Sequence, residues 1–271
     1  MQVNNRQPIG VCDSGVGGTS VVKYLMKLLP NEQIVYFGDT ARVPYGPRPV
    51  GEIKRFMEEI MEFFTEQKVK LAVIACNTMT SQALETVKHK FNFPMVGVSP
   101  GARSALAATR SKRIGVLATQ GTVASGYHAK QITALDPEAT VLLQACPRFV
   151  PLVEAGKLTG EEVRQISATY LSPLIEAEVD TLVLGCTHYP FLWPVISDIM
   201  GPKVTIIDPA LETVEAAKKV LAERGLLSQN RLEEKHRFFF SKEPDETQAL
   251  VERLMEMTLP RFLEASFGKV C

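Results

Sequence analysis

Two cysteines in this sequence sit in loops of the same grammar. Ala75-Cys76-Asn77-Thr78 and Gly185-Cys186-Thr187-His188 each follow a β-branched run. In each, the thiol precedes polar side chains and backbone N–H groups that could receive a carboxylate at a helix start. Two thiols facing each other suit inversion of a carbon acid. A proton must leave one face and another must arrive on the opposite face, and one base does not easily reach both. A free thiol has a pKa of about 8.5, so each cysteine needs a neighbour that adjusts its protonation. His188 is placed to serve Cys186. Asp13, in Cys12-Asp13-Ser14-Gly15-Val16-Gly17-Gly18, is placed to serve Cys76.

Other readings of these residues stay open. Cysteine is a small hydrophobe, and either loop alone could hold a buried structural thiol. Cys186 with His188 as its base could perform acyl transfer, which would leave Cys76 idle. A non-catalytic amino-acid-binding protein could use the same two loops. The Gly-rich turn after Cys12 lacks the spacing of a P-loop or a dinucleotide fingerprint. It reads instead as a tight turn that lets Asp13 and Ser14 reach a ligand. The loop from Phe37 to Gly46 is polar and stands where loops carry function. Thr119 and Thr122 could bind a carboxylate or cap a helix, and Glu154 lies among apolar residues. His89, His128 and His236 read as solvated or packed histidines. Cys12 and Cys146 read as strand cysteines, and Cys271 as a frayed end.

The elements that must carry these loops follow from periodicity. Short apolar runs at 9–12, 34–37, 71–74 and 95–98 predict strands, and a second set lies at 114–117, 141–143, 182–184 and 204–207. Amphipathic stretches at 21–29, 53–67, 81–91, 161–177 and 214–224 predict helices, and the alternation predicts βαβ units with parallel sheet. The two sets are offset by roughly 105 to 110 residues in one order, which suggests a duplicated half. Cys76 and Cys186 are then expected at equivalent strand ends in two facing domains, with the ligand between them. A further strand at 237–241 and a helix at 246–257 have no counterpart in the first half and are expected to complete the N-terminal domain. The expected fold is α/β, with two pseudo-symmetric parallel-sheet domains and the active site at their interface. The expected domains are residues 1–98 plus 209–271 and residues 99–208.

Bulk properties narrow the partners. Thirty basic residues balance 30 acidic ones, so no general field favours nucleic acid or anionic lipid. No apolar run reaches membrane-span length, and the first residues lack an apolar signal core. A cytosolic location is expected, where the five cysteines are thiols. No C-x-x-C or H-E-x-x-H pattern offers a zinc site.

Asp13-Ser14-Gly15, Tyr45-Gly46, Cys76-Asn77-Thr78 and Cys186-Thr187-His188-Tyr189-Pro190 together resemble the signature of bacterial glutamate racemases. The resemblance covers nearly the whole chain. It implies interconversion of L- and D-glutamate, supplying D-glutamate for peptidoglycan, with no cofactor, no pyridoxal phosphate and no metal. It implies that Cys76 takes the proton from D-glutamate and Cys186 acts on the L-enantiomer. Asp13 and His188 match their acid–base helpers, and Glu154 matches a glutamate assisting the histidine. Ser14, Tyr45, Gly46, Asn77, Thr78, Thr119, Thr122 and Thr187, with Asp13 and His188, match substrate-binding positions. The implied partners are the small-molecule substrate glutamate and a second copy in a homodimer, with neither nucleic acid nor membrane. The short N-terminal lead resembles forms without an activator-binding extension, which implies activity without a cell-wall precursor.

Overall fold

Three apolar runs, Ile9–Asp13 (β1), Ile34–Gly38 (β2) and Leu71–Ile74 (β3), are buried along their whole length, as strands covered on both faces must be. The computed structural model describes residues 3–229 and 236–265; Cys271 lies outside them. The remaining strands are Met95–Gly97 (β4), Arg113–Ala118 (β5), Thr140–Ala145 (β6), Thr181–Gly185 (β7), Thr205–Ile207 (β8), Arg237–Phe240 (β9) and Leu263–Glu264 (β10). They form two sheets, ordered β10-β9-β2-β1-β3-β4 and β6-β5-β7-β8. Every strand pair in both is parallel. Helices connect the strands, so the α/β fold class expected from the alternation is the one found.

The order β2-β1-β3-β4 repeats as β6-β5-β7-β8, and the register repeats with it. Ile9 pairs with Ile34 and Leu71; Ile114 pairs with Val141 and Thr181. Cys76 stands five residues after Leu71, and Cys186 stands five after Thr181. The hydrogen bonds at the strand ends match as well. The Asp39 amide donates to the Asp13 carbonyl (3.1 Å), and the Cys146 amide to the Ala118 carbonyl (2.9 Å).

The chain divides into two compact units, Met1–Val98 with Ala210–Cys271, and Ser99–Pro209. In the first, the helix Val50–Glu66 lays Ile53, Phe56, Met57, Ile60, Met61 and Phe64 onto the sheet at three- and four-residue spacing. The tail strand β9 adds to this sheet by pairing with β2. In the second, Ile114, Val116, Ala118 and Val183 pack with Ala102, Ala105 and Ile132 from the helices on one face.

The expected helix over 81–91 is not continuous. Helix starts at Asn77, breaks at Ala83 (φ −124°), resumes over Leu84–Val87 and ends in a 3-10 turn over Lys88–Lys90. Beside the break, Ser81 Oγ donates to the Thr78 carbonyl (3.3 Å), a local side-chain bond that competes with the helical ladder, while Thr80 Oγ1 ties the helix back to β3 by donating to the Ile74 carbonyl (3.1 Å).

Candidate active site

The first unit carries its thiol just beyond β3. Cys76 has extended backbone (φ −72°, ψ 120°) and is the N-cap of the six-residue helix Asn77–Gln82. Asn77 and Thr78 are buried in that helix's first turn, and among the described residues the Asn77 side-chain oxygen has no hydrogen-bond partner. Asp13, fully buried, closes β1 and accepts from the Gly15 amide (3.1 Å), with Ser14 buried beside it. The Gly-rich turn is a matter of close approach. Gly18 is helical (φ −61°), and a Cβ there would lie 2.6 Å from Asp13 Cβ and 3.0 Å from the Tyr36 hydroxyl. Cys12 sits among these groups, and burial, then the charges of Cys76, Asp13 and Asp39, push its thiol well above the usual range. It stays protonated and acts as a core residue.

The loop after β2 presents a buried polar network. Asp39 Oδ2 accepts from the Tyr45 hydroxyl in a short hydrogen bond and from Arg42 Nε at 2.6 Å. Asp39 Oδ1 accepts from Ser241 Oγ at 2.8 Å. Arg42 also pairs with Glu59 and lies 4.0 Å over the Phe56 ring. Burial, Asp39 and Cys76 push the Tyr45 phenol well above its ordinary pKa, against the opposing charge of Arg42. Its proton is committed to Asp39, so its oxygen can only accept from a ligand. Gly46 is buried beside it. Asp39, Arg42 and Ser241 escaped the sequence reading. The loop's polarity pointed to the first two, and nothing local pointed to a serine about 200 residues on.

In the second unit a three-residue chain forms. Cys186 Sγ lies 3.8 Å from His188 Nδ1, and His188 Nε2 lies 2.6 Å from Glu154 Oε1. His188 is buried, while the Glu154 side chain keeps 17 % exposure. Burial alone would depress the imidazole. Its hydrogen bonds to Cys186 and Glu154, and their charges, outweigh burial and hold it well above the usual histidine range. Cys186 and its followers do not lead straight into an α-helix as the first loop does. A 3-10 turn over Tyr189–Leu192 intervenes before the helix Trp193–Met200. Pro190 lacks an amide hydrogen and fits such a helix start.

Thr187 is buried next to Cys186. Thr119 and Thr122, also buried, are bonded to each other, Oγ1 to Oγ1 at 3.0 Å. Thr119 caps the helix Gln120–Ser125 through the Thr122 amide (3.3 Å). His128 is packed against the strand that bears Cys186, His89 is exposed, and His236 Nδ1 accepts from the Ile34 amide (3.3 Å). Among the described residues no group of three or more His, Cys, Asp and Glu side chains is arranged to hold a metal ion, and no helix is long and apolar enough to cross a membrane.

Two parallel sheets that share a four-strand order, with a cysteine at the same register just beyond the equivalent strand of each, define a duplicated two-thiol α/β protein. Residues 13–217 match the Asp/Glu/hydantoin racemase family, and the chain belongs to it. It is 46% identical over 237 residues to a glutamate racemase of Carnobacterium sp. (strain St2), covering 86% of this chain and 88% of that one. Its fold is similar to the crystal structure of glutamate racemase isoform RacE1 from Bacillus anthracis, with a TM-score of 0.88 and 35% identity over 98% of this chain and 99% of that one. It is equally close to the glutamate racemase of Francisella tularensis solved in complex with D-glutamate, with a TM-score of 0.88 and 34% identity over 97% and 98% of the two chains.

Proposed function

We propose that this chain interconverts L- and D-glutamate by proton transfer at Cα, with Cys76 and Cys186 serving opposite faces of one bound substrate. The observation that carries this reading is the matched position of the two thiols, each five residues beyond the same point of a repeated register. The relatives' activity makes glutamate the substrate and the chain an isomerase. The wider role that follows is supply of D-glutamate for peptidoglycan.

A thiolate takes the Cα proton and becomes a thiol. The carbanion then takes a proton from the other cysteine, which becomes the thiolate, so the protons balance and the enzyme ends in its mirror state. On the second unit's side, the Cys186 proton has a path to His188, and Glu154 stabilises the resulting imidazolium. On the first unit's side, Asp13 is the acid–base helper of Cys76. Cys76 acts on D-glutamate and Cys186 on L-glutamate. Ser14, Gly46, Asn77, Thr78, Thr119, Thr122 and Thr187 hold the substrate, and Tyr45, with only an acceptor to offer, suits the substrate ammonium. The Cys186–His188–Glu154 chain would also serve a thiol nucleophile, but that reading gives Cys76 and its matched loop no task.

Chiral chromatography tests the substrate. Purified protein without added cofactor, given either enantiomer of glutamate, should drive it to an equal mixture and leave aspartate unchanged. Turnover of aspartate alone would keep the chemistry and overturn the substrate. Turnover of neither would overturn both. The homodimer belongs to the same proposal, and light scattering should return twice the 29.9 kDa chain mass.

A further inference from the structure

Thr80 is buried in the short helix that follows Cys76 and takes no part in the proposed chemistry. A threonine inside a helix ordinarily donates its hydroxyl to the carbonyl three or four residues back. Thr65, Thr133 and Thr169 do so, each reaching the carbonyl four residues back, at 2.9, 2.8 and 3.0 Å. Thr80 does not. Its amide takes the Cys76 carbonyl (2.9 Å), and its hydroxyl passes over that group to the Ile74 carbonyl at the end of β3 (3.1 Å).

The same hydroxyl accepts from the Val98 amide (3.2 Å), just beyond β4. Val98 is the last residue of the first unit before the chain enters the second. The methyl arm is held as well. A Cβ at Gly97 would lie 2.6 Å from Thr80 Cγ2, so glycine there lets β4 close onto this side chain. Neither hydroxyl bond is needed to satisfy the backbone, because the Val98 amide also donates to the Ile74 carbonyl (2.9 Å). The hydroxyl is an added fastening across the loop that bears Cys76. In the second unit the position four residues beyond Cys186 is Pro190, in a 3-10 turn, with neither a hydroxyl nor an amide hydrogen to do the same. There the thiol has an imidazole nitrogen at 3.8 Å instead.

We infer that Thr80 is a positioning residue for Cys76, its hydroxyl and methyl fastening the thiol loop to the end of β4. Without the hydroxyl the start of the helix can shift along β3, and the sulfur shifts with it. Proton transfer is steep in distance, so a small displacement costs rate at the face that Cys76 serves and leaves the Cys186 face alone.

This inference rests on the proposed two-thiol reaction, so the test reads both the reaction and the thiol itself. Thr80→Val keeps the shape and removes the hydroxyl, while Thr80→Ser keeps the hydroxyl. In Thr80→Val kcat/KM should fall about tenfold, and in Thr80→Ser it should stay within about threefold of the unsubstituted protein. With α-deuterated substrates, the isotope effect on kcat/KM should rise from D-glutamate, whose proton Cys76 takes, and fall from L-glutamate, whose proton Cys186 takes. A merely weakened fold would move neither. Unchanged kcat/KM in folded Thr80→Val, or a loss with both isotope effects unmoved, would overturn the inference. Should Thr80→Val fail to fold, Thr80→Ala removes the hydroxyl with less bulk against the Ile74 carbonyl, and the same readouts apply. Protein labelled with [3-13C]cysteine gives a Cβ resonance for Cys76, assigned by its loss in Cys76→Ser. That resonance should move in Thr80→Val and return in Thr80→Ser, with Cys186 unmoved throughout. An unmoved Cys76 resonance in the folded variant would again overturn the inference. Racemisation by the unsubstituted protein is assayed alongside. Its absence counts against the proposed function, while the Cys76 resonance still decides the role of Thr80.

Discussion

Cys186 touches an imidazole that is itself held by a carboxylate, and this arrangement fixes what single substitutions should do. Cys76→Ala and Cys186→Ala should each lower racemisation by about a thousandfold or more, because each removes the group proposed to exchange a proton with Cα on one face. Near-normal turnover in either variant, followed by chiral chromatography, would contradict the two-thiol account. Glu154→Gln should lower the His188 pKa, because the carboxylate helps hold it above the usual range. A 15N titration of the ring should show that drop, and kcat/KM should fall by up to about tenfold. The loss in kcat/KM must be equal from L- and from D-glutamate, since the equilibrium constant of a racemisation is one.

The strand that delivers Cys186 is held from behind. A Cβ at Gly185 would lie 2.9 Å from His128 Cε1 and Nε2 and 2.9 Å from the Leu117 carbonyl. Gly185→Ala should therefore destabilise the protein by about 1–3 kcal/mol and displace the thiol loop, as read by urea unfolding and kcat. Combining it with His128→Ala should recover part of the loss, and strictly additive losses would show that the ring is not the obstacle. The strands that matter here were legible in sequence, because a parallel strand buried on both faces leaves a run such as Leu71–Ile74 with no polar interruption. The thiol loops were legible because a duplicated register puts them at matched spacing. The helix after Cys76 was less so. Its hydroxyl-bearing first turn resembles a loop in composition, and the break at Ala83 lies next to side-chain bonds from Thr80 and Ser81 that composition does not show. The Asp39–Ser241 bond and the Thr80–Val98 bond were illegible, since each depends on which strand ends become neighbours.

For the molecule as a whole, His128 links pH to stability. It is buried and neutral, with its pKa lowered by burial from 6.5 to about 4. Between those values the unfolded chain binds a proton that the native chain does not. This contribution is complete above pH 6.5 and is lost as pH falls toward 4, by about 3 kcal/mol in all. His128→Leu should lose less stability than the unsubstituted protein between pH 7 and pH 5 in urea unfolding. Equal losses would contradict a neutral buried imidazole. The central claim, two thiols acting on opposite faces of one carbon, is tested most directly by running the reaction in D2O from protiated L-glutamate. The account predicts that D-glutamate formed in the earliest turnovers carries deuterium at Cα while the remaining L-glutamate is still largely protiated. Early D-glutamate that retains the original proton would mean that a single base carries it across, and the two-thiol account would be wrong.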